Sequence, residues 1–197
     1  VSQPDRASII DLRTLNSITI TKCLVLLLRT MKKSFTVSEL SDLNETFVST
    51  FSGKDIPGKA GKGLLILTCM DSRIIPHEIF GLKIGDVKVI RNAGGQLNPE
   101  VENDIVLASY LLNCERIVIM PHTKCAMASL PLVDVRNTLA DLSKKDFSNF
   151  TPRMIDDAQE KLKSDVDSLK NNPLLKEGVE VHGAIYDVDT GKVNWID

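Results

Sequence analysis

The stretch Leu64–Cys69 reads LLILTC, an apolar run of strand length that carries no charge. Runs of this kind suit a strand buried on both faces, as in a parallel sheet. The same character returns at Arg116–Pro121 (RIVIMP), and a shorter strand fits Val87–Arg91. Between these two lies Glu100–Asn113, where Val101, Ile105, Ala108, Leu111 and Leu112 fall along one helical face. Upstream, Val37–Phe51 places Val37, Leu40, Leu43, Phe47, Val48 and Phe51 at helical spacing, with Ser38 or Ser41 available as a cap. Downstream, Met127–Leu142 and Pro152–Leu169 read as helices, the second strongly amphipathic and otherwise a solvated charged face. Val179–Val188 and Lys192–Ile196 read as strands joined at Asp189-Thr190-Gly191, a hairpin signal. Strands alternating with helices imply an α/β fold: a mainly parallel sheet with helices on both faces.

Bulk composition narrows the function. The chain has 197 residues, 43% hydrophobic and 25% charged, with a net charge of −2. That charge gives no pull toward nucleic acid or an anionic membrane, and one Trp and two Tyr make no stacking platform. The four cysteines, Cys23, Cys69, Cys114 and Cys125, do not have the spacing of a small disulfide scaffold, so a reducing, cytoplasmic setting is expected. Residues 1–33 carry six Lys/Arg against two Asp and are rich in Ser and Thr. They read as an N-terminal leader or extension: a helix packing on the body or a partner, or a mitochondrial transit segment. The apolar run Cys23–Leu28 is too short to span a bilayer. Residues 34–197 then form a single domain. The Gly- and Lys-rich loop 53–63 lacks the order of a phosphate-binding loop, and a strand follows it rather than precedes it.

The chemistry gathers at two places. Cys69-Met70-Asp71-Ser72-Arg73 ends the first strand, and His122-Thr123-Lys124-Cys125 follows the third. In open α/β sheets, ligands bind beyond the carboxyl ends of the strands where strand order reverses. Two thiols and one imidazole make a tetrahedral zinc site with one position open for water. Asp71 can orient a metal-held hydroxide, and Arg73 can hold Asp71 ionised through paired hydrogen bonds. A fourth protein ligand would instead give a closed, structural site, with Asp71, His77 and Cys114 the candidates, and a cluster that binds no metal is the third reading. His77 at a helix start and His182 in a strand are otherwise read as surface, capping or packed residues. Cys114, at a helix end, reads as core.

These motifs, CMDSR, RNAGG and HTKC, with IVIMPHTKCAM and VHGAIYDVDTGKV around them, resemble the β-class carbonic anhydrases, in their short, compact form. The likeness spans roughly residues 39–197. It implies Cys69, His122 and Cys125 as ligands of one Zn2+ per chain, and Asp71 and Arg73 as a catalytic dyad. It implies an antiparallel C-terminal edge strand and a homodimer or higher even oligomer. The reaction implied is reversible hydration of carbon dioxide to bicarbonate and a proton, and Ala93–Gly95 would lie near the site. Two alternatives keep the same residues: hydrolysis of carbon disulfide or carbonyl sulfide, and a silent zinc-binding structural or sensor protein. The chain departs from the family at Ala126, where glycine is usual; a methyl there can crowd the metal pocket or the helix start.

Overall fold

The computed structural model describes residues 34–196; the extension read over residues 1–33 lies outside them. The described residues fall into two units, divided between Ser52 and Gly53. The described part of the first is one helix, α1 (Val37–Thr50). The serines proposed as its cap do not serve. Thr36 accepts from the Glu39 amide while the Glu39 carboxylate takes the Thr36 amide, a reciprocal box set two residues earlier. The Thr-x-x-Glu pattern carries that signal.

The second unit is built on a five-stranded sheet in the order β2-β1-β3-β4-β5. The strands are β1 (Leu64–Cys69), β2 (Val87–Asn92), β3 (Arg116–Met120), β4 (Glu180–Tyr186) and β5 (Val193–Ile196). The first four run parallel, and β5 closes antiparallel on β4. The apolar run in β1 now has its reason. Leu65 and Leu67 pack on one face with Ile117 and Ile119, and Ile66 packs on the other with Val118. Alternate side chains point to opposite faces, so a strand covered on both sides needs apolar residues at every position.

One face is sealed by two helices. From α3 (Pro99–Leu111) come Val101, Ile105 and Ala108; from α6 (Ala158–Lys170) come Leu162, Val166 and Leu169. Asn98 starts α3 by accepting from the amides of Glu100 and Val101, ahead of Pro99 at the first helical position. The other face gathers Ile66, Ile74, Val118, Met120, Ala184 and Tyr186. Its helical cover is the short α2 (Pro76–Ile79) and α4 (Ala126–Ser129), through Ile79, Met127 and Ala128.

Two helices differ from their sequence reading. The span Met127–Leu142 is two helices, α4 and α5 (Leu132–Ser143), parted at Leu130-Pro131. Pro131 drives Leu130 into extended backbone (φ −118°, ψ 132°), which ends α4 and starts α5. The span Pro152–Leu169 is helical only from Ala158, because Asp157 caps there by accepting from the amides of Gln159 and Glu160. Residues 152–157 stay irregular, and the Ile155 amide bonds the Met127 carbonyl, 2.8 Å. No helix among the described residues is long and apolar enough to cross a membrane.

Candidate metal centre

β1 is central, with β2 on one side and β3 on the other, so strand order reverses between β1 and β3. Cys69 is the last residue of β1, and His122 comes two residues after β3. The two carboxyl ends are stitched together by the buried Thr68 hydroxyl, which donates to the Met120 carbonyl at 2.6 Å.

His122 is fixed from the far side by β4. Its backbone bridges Tyr186, the Thr123 amide donates to the Tyr186 carbonyl, and the Tyr186 amide donates to the Pro121 carbonyl. The imidazole is 1% exposed. Nδ1 lies 2.8 Å from the Thr123 carbonyl, an acceptor, so Nδ1 carries the proton. Nε2 is left with a bare lone pair, and it is the single buried side-chain polar atom among the described residues with no hydrogen-bond partner. Such an orphan asks for an explanation. The neighbours supply it: ligand atoms of Cys69, His122 and Cys125, all buried, lie within 4.8 Å of one another. Two sulfurs and one imidazole lone pair form a group that could hold a metal ion, and the donor set is the one zinc takes. Burial pushes the His122 pKa down, against the pull of the Asp71 charge, which keeps the ring neutral as a ligand must be. Burial pushes the Cys125 thiol up, and the neighbouring Cys69 adds to it.

Asp71 and Arg73 stand at the rim in one turn. Arg73 Nε donates to Asp71 Oδ1 at 3.0 Å, Nη2 donates to Oδ2 at 2.8 Å, and the Arg73 amide donates to Oδ1 at 2.9 Å. Those hydrogen bonds hold the Asp71 carboxyl far below the usual carboxylate range. Asp71 Oδ2 reaches within 3.9 Å of His122 Nε2, beside the ligand cluster.

Arg91 is a site residue to which the sequence reading gives no role. Its guanidinium donates to the carbonyls of Cys69 (3.0 Å) and Asp71 (2.6 Å), so β2 holds the turn that presents both residues. The segment after β2 then folds over the site. The Gly94 amide donates to Cys69 Sγ at 3.3 Å. At Gly95 (φ +65°) an added Cβ would lie 2.8 Å from the Cys69 nitrogen and the Thr68 carbonyl carbon. Only glycine fits there, which is the physical content of small residues at Ala93–Gly95.

Neither remaining candidate for a fourth ligand joins the group. Cys114 is buried in the other core cluster, among Leu65, Ile105 and Ile117, and His77 sits in α2. His182 faces Glu180 at 3.4 Å and stacks edge-on against Trp195. Ala126 opens α4 as an exposed residue, so within this chain its methyl does not crowd the metal pocket.

A family profile described as carbonic anhydrase matches residues 64–193, well over half of the chain. The chain belongs to the β-carbonic anhydrase family. The match takes in β1 to β4 and the first residue of β5, with Cys69, Cys125 and His122. This carbonic anhydrase is 28% identical over 151 residues to β-carbonic anhydrase 1 of Mycobacterium tuberculosis, covering 77% of this chain and 91% of that one. The crystal structure of a carbonic anhydrase from Streptococcus mutans superposes with a TM-score of 0.75 at 30% identity, covering 85% of this chain and all of the other. A carbon disulfide hydrolase from Acidithiobacillus thiooxidans is also similar, 28% identical over 147 residues, covering 65% of this chain and 74% of that one.

Proposed function

We propose that this carbonic anhydrase binds one Zn2+ through Cys69, His122 and Cys125 and hydrates carbon dioxide reversibly to bicarbonate and a proton. The observation that carries the reading is the bare, buried Nε2 of His122 held beside two thiols. Zinc, when bound, supplies a Lewis acid that brings the pKa of a water to roughly 7. The chain supplies the rest. Thr123 and the β4 pairing hold the imidazole with Nε2 deprotonated, so the ring needs no reorientation on loading. Arg73 keeps Asp71 ionised and occupies both its oxygens from one side, which favours an Asp71 that stays off the metal. The lone pairs left on Asp71 can then accept a hydrogen bond from the attacking oxygen and direct it toward the substrate carbon. Two thiolate ligands require reducing conditions, in keeping with a cytoplasmic setting. We infer a homodimer or higher even oligomer, because no residue of α5 is buried.

The similarity to a carbon disulfide hydrolase keeps a second reading open at the same residues, with sulfur atoms in place of the substrate oxygens. Stopped-flow carbon dioxide hydration by the zinc-loaded protein at pH about 7 and about 8.5 tests the first reading. The expected result is turnover that rises with pH, and an Asp71→Asn variant that keeps its zinc and loses most of the rate. No turnover with zinc present, and hydrolysis of carbon disulfide or carbonyl sulfide instead, would move the assignment to the second. Silence on both would make the protein a non-catalytic zinc binder.

A further inference from the structure

Among the described residues Asp165 is the one buried carboxylate, 6% exposed, and nothing in the reaction above uses it. A buried charge is costly unless it is paired and hydrogen-bonded, so its partners indicate its purpose. On its own helix, α6, the partner is Lys161 one turn earlier. The other partner lies 68 residues away in sequence: the Leu97 amide donates to Asp165 Oδ2 at 3.0 Å. Leu97 ends the segment that folds over the metal centre.

That segment is tied at every point. The Asn92 side chain bonds both ways with the Gln96 backbone, its Oδ1 taking the amide and its Nδ2 donating to the carbonyl, each at 2.8 Å. The Gln96 side chain, 2% exposed as a residue, donates to the carbonyls of Ala93 and Arg153. Gly94 is left no freedom: an added Cβ would meet Gln96 Nε2 at 2.8 Å and Ile155 Cδ1 at 2.9 Å. The output of this frame is one contact, the Gly94 amide on Cys69 Sγ.

We propose that Asp165 is a positioning residue for the metal centre: with Lys161 it anchors Leu97 and so holds the Gly94 amide on the Cys69 sulfur. A hydrogen bond to a thiolate withdraws electron density that the sulfur would otherwise give to the metal. Asp165 therefore tunes the electron donation of Cys69 through the peptide segment and touches neither metal nor substrate. The choice of a carboxylate follows, because an ionised acceptor binds an amide about twice as strongly as a neutral one. This inference rests on the metal-centre reading given above.

The test uses the full chain loaded with cobalt(II), whose sulfur-to-cobalt charge-transfer absorption reports donation by the thiolates. Asp165→Asn keeps the shape and one acceptor but loses the charge; Asp165→Ala loses both. The expected result is a charge-transfer band moved to longer wavelength in D165N and further in D165A. Exchange of the Leu97 and Gly94 amides should be about five- to tenfold faster in D165N. Leu169→Ala, a core variant of the same helix, should lower thermal stability and leave the band in place. Bands that coincide in wild type and D165N, with stability lowered as in L169A, would overturn the inference and leave Asp165 an ordinary fold support. The asparagine variant is near-isosteric, so this comparison stands even if D165A does not fold. A wild-type protein that shows no charge-transfer band would overturn the metal centre itself, and the inference with it.

Discussion

At the scale of single residues, His122 and Cys125 set how the centre responds to pH. Metal binding needs deprotonated ligands. The Cys125 thiol is pushed up by burial, so in the metal-free protein it carries its proton at neutral pH, and loading must displace it. His122 is pushed down and is already neutral. Zinc affinity is therefore expected to climb by about one decade or more per pH unit through neutrality, measured by competition with a chromophoric chelator. An affinity that stays flat there would remove Cys125 from the ligand set. Cys69→Ser should weaken zinc binding more than about a hundredfold, and retention of one tightly bound zinc per chain would sink the assignment. Asp71 works in the opposite sense. Its folded pKa is depressed, so its charge stabilises the fold above the unfolded carboxylate value of about 4 and loses that effect as pH falls below it. The difference in thermal midpoint between wild type and Asp71→Asn should be full at neutral pH and shrink in acid. A difference that does not change with pH would mean the Asp71–Arg73 pair contributes nothing through its charge. The grouping of Cys69, His122 and Cys125 was legible in the sequence, because such chemistry lies in side chains whose spacing can be read directly. Arg91 and Asp165 were not, because each acts on backbone that is distant in sequence, and no local pattern marks a side chain that reaches a far carbonyl or amide.

At the scale of elements, the centre depends on how closely the segment after β2 lies on the end of β1. Gly95→Ala puts a methyl against the Cys69 and Thr68 backbone at positive φ. It should cost roughly 2–3 kcal/mol in a urea unfolding series and weaken metal binding as well. Gly58→Ala is the matched comparison: an added Cβ there meets nothing within 4 Å, so stability should not fall. Equal losses in both would mean that the close approach at Gly95 is unimportant. The strands were readable because a doubly covered strand has no polar face to blur the pattern. Helix ends were less so. Apolar spacing continues past Pro131 and begins before Asp157, and only the proline geometry and the aspartate cap stop the helices where they do.

At the scale of the whole molecule, the proposed dimer turns on exposed apolar residues. In α5, Val133 and Leu142 are each 60% exposed, and Trp195 on the edge strand is 57% exposed. Scattered exposed apolar residues are ordinary, but α5 has no buried residue, and the proposed partner would cover its apolar stripe. Sedimentation equilibrium at micromolar concentration should return at least twice the 21.7 kDa chain mass. A single-chain mass would count against the dimer. Oligomer size was beyond the sequence because amphipathic spacing reports that a face will be covered without reporting by what.

The bridge between His122 and Tyr186 bears on how the protein is made. Cys69, His122 and Cys125 leave the ribosome before Tyr186, the residue whose strand holds the His122 backbone in place. A nascent chain thus carries every ligand without the site. On the proposed zinc reading, loading is expected only once β4 has docked beside His122. A chain truncated before β4 should hold metal no better than an unfolded peptide carrying the same thiols.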